Sequence, residues 1–157
     1  MSGAEETDVA MPERAVLRDL YTRPGFLLRR AHQISSALFM EETAELGVTT
    51  AQFGMLTVLA ACAPLDQIGA AKLLRLDRST TGVVVRNLEE RRLIERVLDP
   101  EDRRRRVLRI TEQGRELLAQ LNRLGDASQR RGLSVLDAEE AATLVGLLAK
   151  FVQAHER

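Results

Sequence analysis

The sequence is poor in aromatic residues and in cysteine. It has no tryptophan and one tyrosine, and aromatic residues make up 3% of the chain, which favours helices over a β-sandwich. A single cysteine, Cys62, excludes an intramolecular disulfide framework. No apolar run is long enough for a transmembrane helix, so we expect no membrane partner. The acidic segment 1–11 lacks the order of a signal peptide, and we expect a cytoplasmic protein.

Motifs of catalysis and metal binding are also absent. The two histidines, His32 and His155, are far apart in the chain. No His-Glu-x-x-His motif, phosphate-binding glycine loop or nucleophile elbow occurs. The clusters of Cys and His that metal sites need are missing as well. We therefore expect no enzymatic activity, no metal and no cofactor.

Charge is balanced over the whole chain but not along it. The 23 Lys and Arg residues equal the 23 Asp and Glu residues. Residues 72–115 nevertheless hold 13 basic against 8 acidic residues, whereas residues 1–71 hold 5 against 9. Phosphate binding needs a local basic surface, not a basic protein. The alternative for any one charged run is a solvated helix face.

Apolar periodicity and capping residues predict a chain of helices interrupted by one hairpin. Helical spacing of apolar residues, Thr or Asp at helix starts, and Pro or Gly at helix ends mark the helices. Near-alternating side chains mark the strands. The predicted elements are a helix from Pro24 to Gly47, one from Thr49 or Thr50 to Pro64, helices at 66–74 and 78–92, strands at 93–97 and 106–110, a long helix capped by Thr111, and a last helix capped by Asp137 with Glu140.

A short helix, a tight turn, a second helix and a basic hairpin form the arrangement of a winged helix-turn-helix. We predict a mainly α fold with a two-stranded β-wing and with N- and C-terminal dimerisation helices. The first and last helices carry apolar faces outside the winged core, which predicts a homodimer. The expected parts are a flexible tail at 1–13, an N-terminal dimerisation helix region at 14–48, the winged helix-turn-helix DNA-binding domain at 49–111 and C-terminal dimerisation helices at 112–157.

The second helix of this motif begins with residues suited to DNA. An α-helix fits the major groove, and its N-terminal residues reach base edges. Arginine can donate two hydrogen bonds to guanine, hydroxyl groups can contact bases or phosphates, and the four consecutive arginines of the hairpin can reach the minor groove. We therefore expect double-stranded DNA with an inverted-repeat operator as the partner. The helix residues concerned are Arg78, Ser79, Thr80 and Thr81.

Several segments resemble the MarR (multiple antibiotic resistance regulator) family of transcription regulators. The resemblance spans roughly residues 24–155, and its specific part is the wing. The matching segments are Leu76-Asp77-Arg78-Ser79-Thr80, Leu88-Glu89-Glu90-Arg91, Leu93-Ile94-Glu95-Arg96, Asp99-Pro100-Glu101-Asp102-Arg103-Arg104 and Leu108-Arg109-Ile110-Thr111-Glu112-Gln113-Gly114.

This resemblance implies a dimeric DNA-binding regulator, commonly a repressor. It implies that Arg86 joins residues 78–81 on the recognition helix, and that Asp102 orients Arg104 into the minor groove. Arg103 and Arg105 would then contact phosphates. The chain departs from the pattern at Gly82, which is followed by three valines. That glycine either permits close approach to DNA or is only tolerated, and the sequence leaves both alternatives open.

Family resemblance also implies a small effector. The segment around residues 23–34 is similar to family members that respond to aromatic carboxylates or to their coenzyme A thioesters. Arginine forks match a carboxylate, and phenylalanine rings can form apolar walls. The alternative is that the arginines pair with acids, that the histidine covers a packed surface and that the rings are core. The residues concerned are Phe26, Arg29, Arg30, His32, Phe39 and Phe53.

Two other functions are alternatives to a DNA-binding regulator that responds to an aromatic effector. Cys62 could make the protein a redox-sensing regulator, although a small buried apolar residue is the simpler interpretation of this cysteine. A winged helix could also serve as a protein-interaction module, but such a module would not need a basic wing.

Overall fold

The structure of the protein, a computed structural model, describes residues 14–156. The predicted tail at 1–13 lies outside the described residues. Tertiary contacts divide the chain into two units between Ile34 and Ser35. No helix in the described part of the chain combines the length and hydropathy of a membrane span.

The elements are α1 (Arg14–Thr22), α2 (Pro24–Glu42), a 3-10 turn (Ala44–Leu46), α3 (Thr50–Cys62), α4 (Gln67–Leu74), α5 (Arg78–Glu90), β1 (Ile94–Leu98), β2 (Arg106–Ile110), α6 (Glu112–Leu133) and α7 (Ala138–His155).

The first unit contains α1 and the start of α2. The α1 helix was not predicted from the sequence. It ends where the Thr22 hydroxyl donates to the Asp19 carbonyl, and Pro24 begins α2 as expected. The rings of Tyr21 and Phe26 meet edge to face at 5.2 Å. Both helices leave large apolar side chains exposed, namely Leu20, Tyr21, Leu27, Leu28 and Ile34.

The helices of the second unit begin at side chains that accept hydrogen bonds from the first turn. The first backbone N–H groups of a helix have no partner inside it, so a Thr or Asp oxygen stabilises the start. Capping by Thr49, Asp77, Thr111 and Asp137 was predicted and is confirmed, and Asp66 caps α4 in the same way. The helix predicted to run to Gly47 ends at Glu42 instead. A 3-10 turn follows, and Gly47 ends that turn at a φ of 58°.

One apolar core joins the end of α2, the helices α3 to α6 and the β1–β2 hairpin. Met55, Leu56 and Leu59 of α3 are fully buried at its centre. Elements α4, α5, α6 and β2 all pack against α3. The side of α5 that faces the core carries Val84, Val85 and Leu88, as predicted. Burial of side chains of this size stabilises the unit by about 1.5–3 kcal/mol each.

Hydrogen bonds join the β1–β2 hairpin to the segment before α4 and close its base. Its antiparallel register pairs Ile94 with Ile110 and Leu98 with Arg106. At its second strand, the Leu108 N–H donates to the Leu65 carbonyl at 2.8 Å. At its base, the Thr111 hydroxyl lies 2.8 Å from the Arg92 carbonyl oxygen and 3.1 Å from that of Leu93. The hairpin therefore has a fixed direction beside α5, and the predicted winged arrangement is confirmed.

The last helix, α7, has no buried residue. Its capping box joins Asp137 and Glu140, as the sequence predicted. Large apolar side chains recur on it at intervals of three and four residues, which places them on one face. These exposed residues are Leu144, Leu147, Leu148, Phe151 and Val152.

Candidate nucleic-acid interface

The outer face of α5 is exposed along its length. Asp77 caps the start of the helix, where its side chain accepts from the Thr80 N–H. Arg78, Ser79 and Arg86 are exposed, as expected for a helix that enters a groove. Val83 lies on the same face and is 49% exposed. This face is therefore built of two arginines, a hydroxyl group and an apolar side chain.

Two threonines at the start of α5 bond to the cap. The Thr80 hydroxyl donates to the Asp77 carboxylate at 2.6 Å, and the Thr80 N–H donates to the same carboxylate at 2.8 Å. These bonds hold the pKa of Asp77 below its ordinary value of 3.8, so the cap stays charged to lower pH than a free aspartate does. Thr81 is 1% exposed, and its hydroxyl donates to the Asp77 carbonyl at 2.7 Å. The expectation that Thr81 faces a partner is therefore corrected, because its side chain is buried.

Three arginine and glutamine side chains hold α5 against neighbouring elements. Arg96 of β1 donates to Glu89 of α5 at 2.9 Å and to Gln67 of α4 at 2.9 Å. Arg91, just after α5, donates to the carbonyls of the turn at residues 46–47. The sequence analysis did not assign these roles, since the partners are 7 to 45 residues apart in the chain. They fix the orientation of α5.

The wing tip is shaped by two aspartates. Asp99 is 8% exposed, and its carboxylate accepts from the Glu101 N–H at 3.0 Å. Asp102 accepts from the backbone N–H of Arg104 at 3.0 Å. The aspartate therefore orients Arg104 through the main chain and not through its guanidinium group. Arg103 and Arg104 are both exposed at the tip.

Arg105 forms an ion pair with an acid of the same chain. Its guanidinium group donates twice to one oxygen of Asp66, at 2.6 and 3.1 Å, and lies 3.7 Å from Asp99. The Gly69 N–H and the Arg105 guanidinium together hold the pKa of Asp66 below its ordinary value. This ion pair attaches the wing to the cap of α4, and because the Arg105 side chain is 50% exposed, its contact with phosphate stays a prediction.

The residues expected to bind an effector fall into both units. In the first unit, the Arg29 guanidinium lies 5.0 Å from the centre of the Phe26 ring. Arg30 donates to Gln33 at 3.0 Å, and His32 is exposed. In the second unit, Phe39 is 6% exposed and stacks on Phe53 with 5.3 Å between ring centres. These two rings belong to or pack against the core, which matches the alternative interpretation of them.

Cys62 is the last residue of α3 and is exposed. The simpler interpretation of this cysteine, a buried apolar residue, is therefore wrong. Within residues 14–156, no group of three or more His, Cys, Asp or Glu side chains is arranged to hold a metal ion.

Known proteins resemble this chain over most of its length. A model of the MarR family matches residues 46–105. The transcriptional repressor NicR of Pseudomonas putida is 29% identical over 88% of this chain and 87% of its own. The PcaV regulator of Streptomyces coelicolor, solved with its natural ligand, is 34% identical at a TM-score of 0.77 and covers 87% of this chain and 96% of its own.

The repressor CouR has been solved in two states that resemble this chain. Bound to a 23-mer DNA duplex, it has a TM-score of 0.80 and 29% identity, covering 85% of this chain and 95% of its own. CouR from Rhodococcus jostii RHA1 bound to p-coumaroyl-CoA has a TM-score of 0.75 and 28% identity, covering 87% and 94%. NicR, PcaV and CouR are transcriptional regulators or repressors.

The Asp66–Arg105 contact makes a testable contribution to stability. The Asp66→Asn substitution keeps a capping oxygen but removes the charge that faces Arg105. We expect the free energy of unfolding at neutral pH to fall by up to about 1 kcal/mol. Since the pKa of Asp66 is lowered, this contribution is complete above pH 3.8 and is lost as the pH falls through the lowered pKa. Urea denaturation along an acid series measures the difference.

The matched control for this prediction is Arg105→Gln. If the two side chains act as a pair, the double variant costs no more than the larger single loss. Additive losses, or a difference from the wild type that persists when Asp66 is protonated, would contradict the assignment.

Proposed function

The chain belongs to the MarR family of transcription regulators, and we propose that it is a homodimeric repressor that an aromatic effector releases from DNA. In this proposal residues 49–111 bind an inverted-repeat operator, and residues 14–48 and 112–157 form the dimer. The effector is an aromatic carboxylate or its coenzyme A thioester, and the regulated genes serve the breakdown of such compounds.

DNA binding is supported above all by how the arginines are distributed. Arg91, Arg96 and Arg105 are engaged by oxygen atoms of the chain itself. Within the described residues, the guanidinium groups of a second set form no ion pair or hydrogen bond. Phosphates and guanine bases are the partners that such groups bind with two parallel hydrogen bonds. The second set, on the outer face of α5 and at the wing tip, is Arg78, Arg86, Arg103 and Arg104.

The dimer is supported by the exposed apolar face of α7. Phe151 is 52% exposed and Leu147 is 60% exposed in the single chain. A helix face of this kind in water is unfavourable, and a second copy related by a twofold axis can cover it with the same residues. A twofold axis would also present two α5 helices to successive major grooves, which matches an inverted repeat.

The effector class is supported by two relatives and by the start of α2. PcaV was solved with its natural ligand, and CouR was solved with p-coumaroyl-CoA. In this chain, α2 presents Arg29, Arg30 and His32 as exposed cationic or hydrogen-bonding groups, with Phe26 beside Arg29. Such groups can bind the carboxylate of an aromatic acid or a phosphate of coenzyme A. A ligand acts on DNA binding only if it favours one dimer geometry over another.

The first prediction from this proposal concerns the wing and the recognition helix. Arg104→Ala and Arg78→Ala should each weaken operator binding by about 1–3 kcal/mol, because each removes a groove or phosphate contact. Fluorescence anisotropy on the DNA upstream of the protein's own gene, in a salt series and against a scrambled duplex, measures this. Arg123→Ala on α6 removes an equal charge elsewhere and should leave affinity unchanged. If Arg78→Ala and Arg104→Ala bind the operator as tightly as the wild type does, α5 and the wing are not the DNA-binding surface.

The second prediction concerns assembly. Wild-type protein should sediment as two chains of 17.5 kDa each. Leu148→Asp places a charge in the apolar face of α7 and should shift the protein to monomers, since burying an unpaired carboxylate in an interface is unfavourable. Gln153→Asp, on the opposite side of the same helix, should leave the dimer intact. A monomeric wild type would refute the proposed assembly.

The third prediction concerns the effector. Calorimetric titration with p-coumarate, ferulate, protocatechuate and their coenzyme A thioesters should give saturable heat with at least one compound, and that compound should release the protein from DNA. Arg29→Ala should weaken this binding on the order of tenfold or more, because it removes a charged hydrogen bond. Absence of heat with every compound would exclude the effector class while leaving DNA binding untouched.

A further inference from the structure

Gly82 lies in the interior of α5, yet nothing within the chain requires a glycine there. A Cβ atom added at this position would meet no atom within 4 Å, and the backbone has no positive φ. Gly114 and Gly47 are different. A Cβ at Gly114 would collide with the Leu93 carbonyl, and Gly47 has a φ of 58°. The fold therefore explains those two glycines but not Gly82.

A glycine inside a helix has a cost for the protein. It destabilises the helix by about 0.5–1 kcal/mol relative to alanine, since the unfolded chain loses more freedom. No contact inside the chain offsets this cost at Gly82, nor at Gly146 of α7. Gly82 differs from Gly146 because the exposed arginines Arg78 and Arg86 flank it, which points to a group outside the chain that needs the missing side chain. The position of Gly82 identifies the side from which that group comes.

Gly82 occupies the middle of the outer face of α5. Residues four apart form a row along a helix, so Arg78, Gly82 and Arg86 lie in one row. Val83 stands beside the gap in this row and is 49% exposed. Its β-branched side chain has few rotamers in a helix, so its methyl groups are held in place. The face thus combines bare backbone, a fixed apolar group and a cation on either side.

From this juxtaposition we propose that Gly82 and Val83 read one thymine in each operator half-site. The bare backbone at Gly82 lets the base edge approach the helix, and the Val83 methyl groups contact the 5-methyl group of the base. Thymine is the only base with an apolar group in the major groove, so it is the match for an exposed valine. This inference rests on the DNA binding proposed above and adds which residues set the sequence preference.

The Gly82→Ala variant separates stability from recognition. The added methyl group should raise the melting temperature by about 2–4 °C through helix propensity. It should also lower operator affinity by about tenfold or more, with little change in affinity for a scrambled duplex. Gly146→Ala in α7 is the matched control, because a Cβ there also meets nothing within 4 Å. It should be stabilised in the same way and bind the operator as the wild type does.

The role of Val83 is tested with DNA that lacks single methyl groups. Once footprinting has defined the operator, each thymine is replaced in turn by deoxyuridine. At one thymine per half-site the replacement should weaken wild-type binding by about three- to fivefold. Val83→Ala, which keeps the helix intact, should bind the unmodified operator more weakly by a similar factor. At that position the Val83→Ala variant should bind DNA with thymine and DNA with uracil equally well.

The outcomes distinguish this inference from the function on which it rests. A wild-type protein that binds no duplex selectively overturns both. The wild type could bind the operator selectively, and Val83→Ala could show the same loss of affinity as the wild type at every deoxyuridine substitution. That result overturns the recognition of thymine by Val83 but leaves DNA binding intact. Unchanged operator affinity of Gly82→Ala overturns the role given to the bare backbone.

Discussion

The buried side of α3 is the constraint on which the second unit depends. Met55, Leu56 and Leu59 are completely shielded from water, and α4, α5, α6 and β2 all pack against this helix. Interiors packed at this density tolerate little change in side-chain volume, so they fix how the surrounding elements are oriented. The outer face of α5 and the wing tip therefore keep a constant relation to each other, which a two-groove contact with DNA requires. Loss of α3 packing would disturb both surfaces together.

The chain has no net charge, but its arginines fall into two sets with different surroundings. Some guanidinium groups are held by carboxylates or carbonyls and serve the architecture, as at Arg91, Arg96 and Arg105. Others project from α5 and the wing without such partners. Net charge cannot distinguish the two sets, because an engaged arginine and an exposed one count equally in it. The surface potential that steers association with a polyanion depends on the exposed set.

Local signals in the sequence predicted much of the fold. Caps such as Thr49 and Asp77 act within three residues, and strand alternation in the hairpin is visible along the chain itself, so both could be read directly. The helical spacing of apolar residues was enough to predict the outer face of α5, but it wrongly placed Thr81 on that face. Its hydroxyl can satisfy its hydrogen bond on the Asp77 carbonyl, and the side chain then turns inward.

What the sequence could not supply was the choice of long-range partner. Arg105 stands among four consecutive arginines, and only the fold brings Asp66, 39 residues away, against it. Cys62 reads as apolar from its alanine neighbours, but its place at the last turn of α3 leaves it exposed. The early end of α2 is a local feature instead, because the Thr43 hydroxyl bonds to the Phe39 carbonyl four residues back and a 3-10 turn follows.

The bonds of Thr111 make the base of the wing and the start of α6 a single joint. The hydroxyl bonds to carbonyls at the start of β1 and also accepts from the Gly114 N–H, so the first turn of α6 cannot swing independently of the hairpin. With 22 residues, α6 is a lever about 33 Å long. Tilting it by about 5° moves its far end by roughly 3 Å. Because α6 also packs against α3, which packs against α5, a displacement of the far end of α6 would act on the wing and on α5 together.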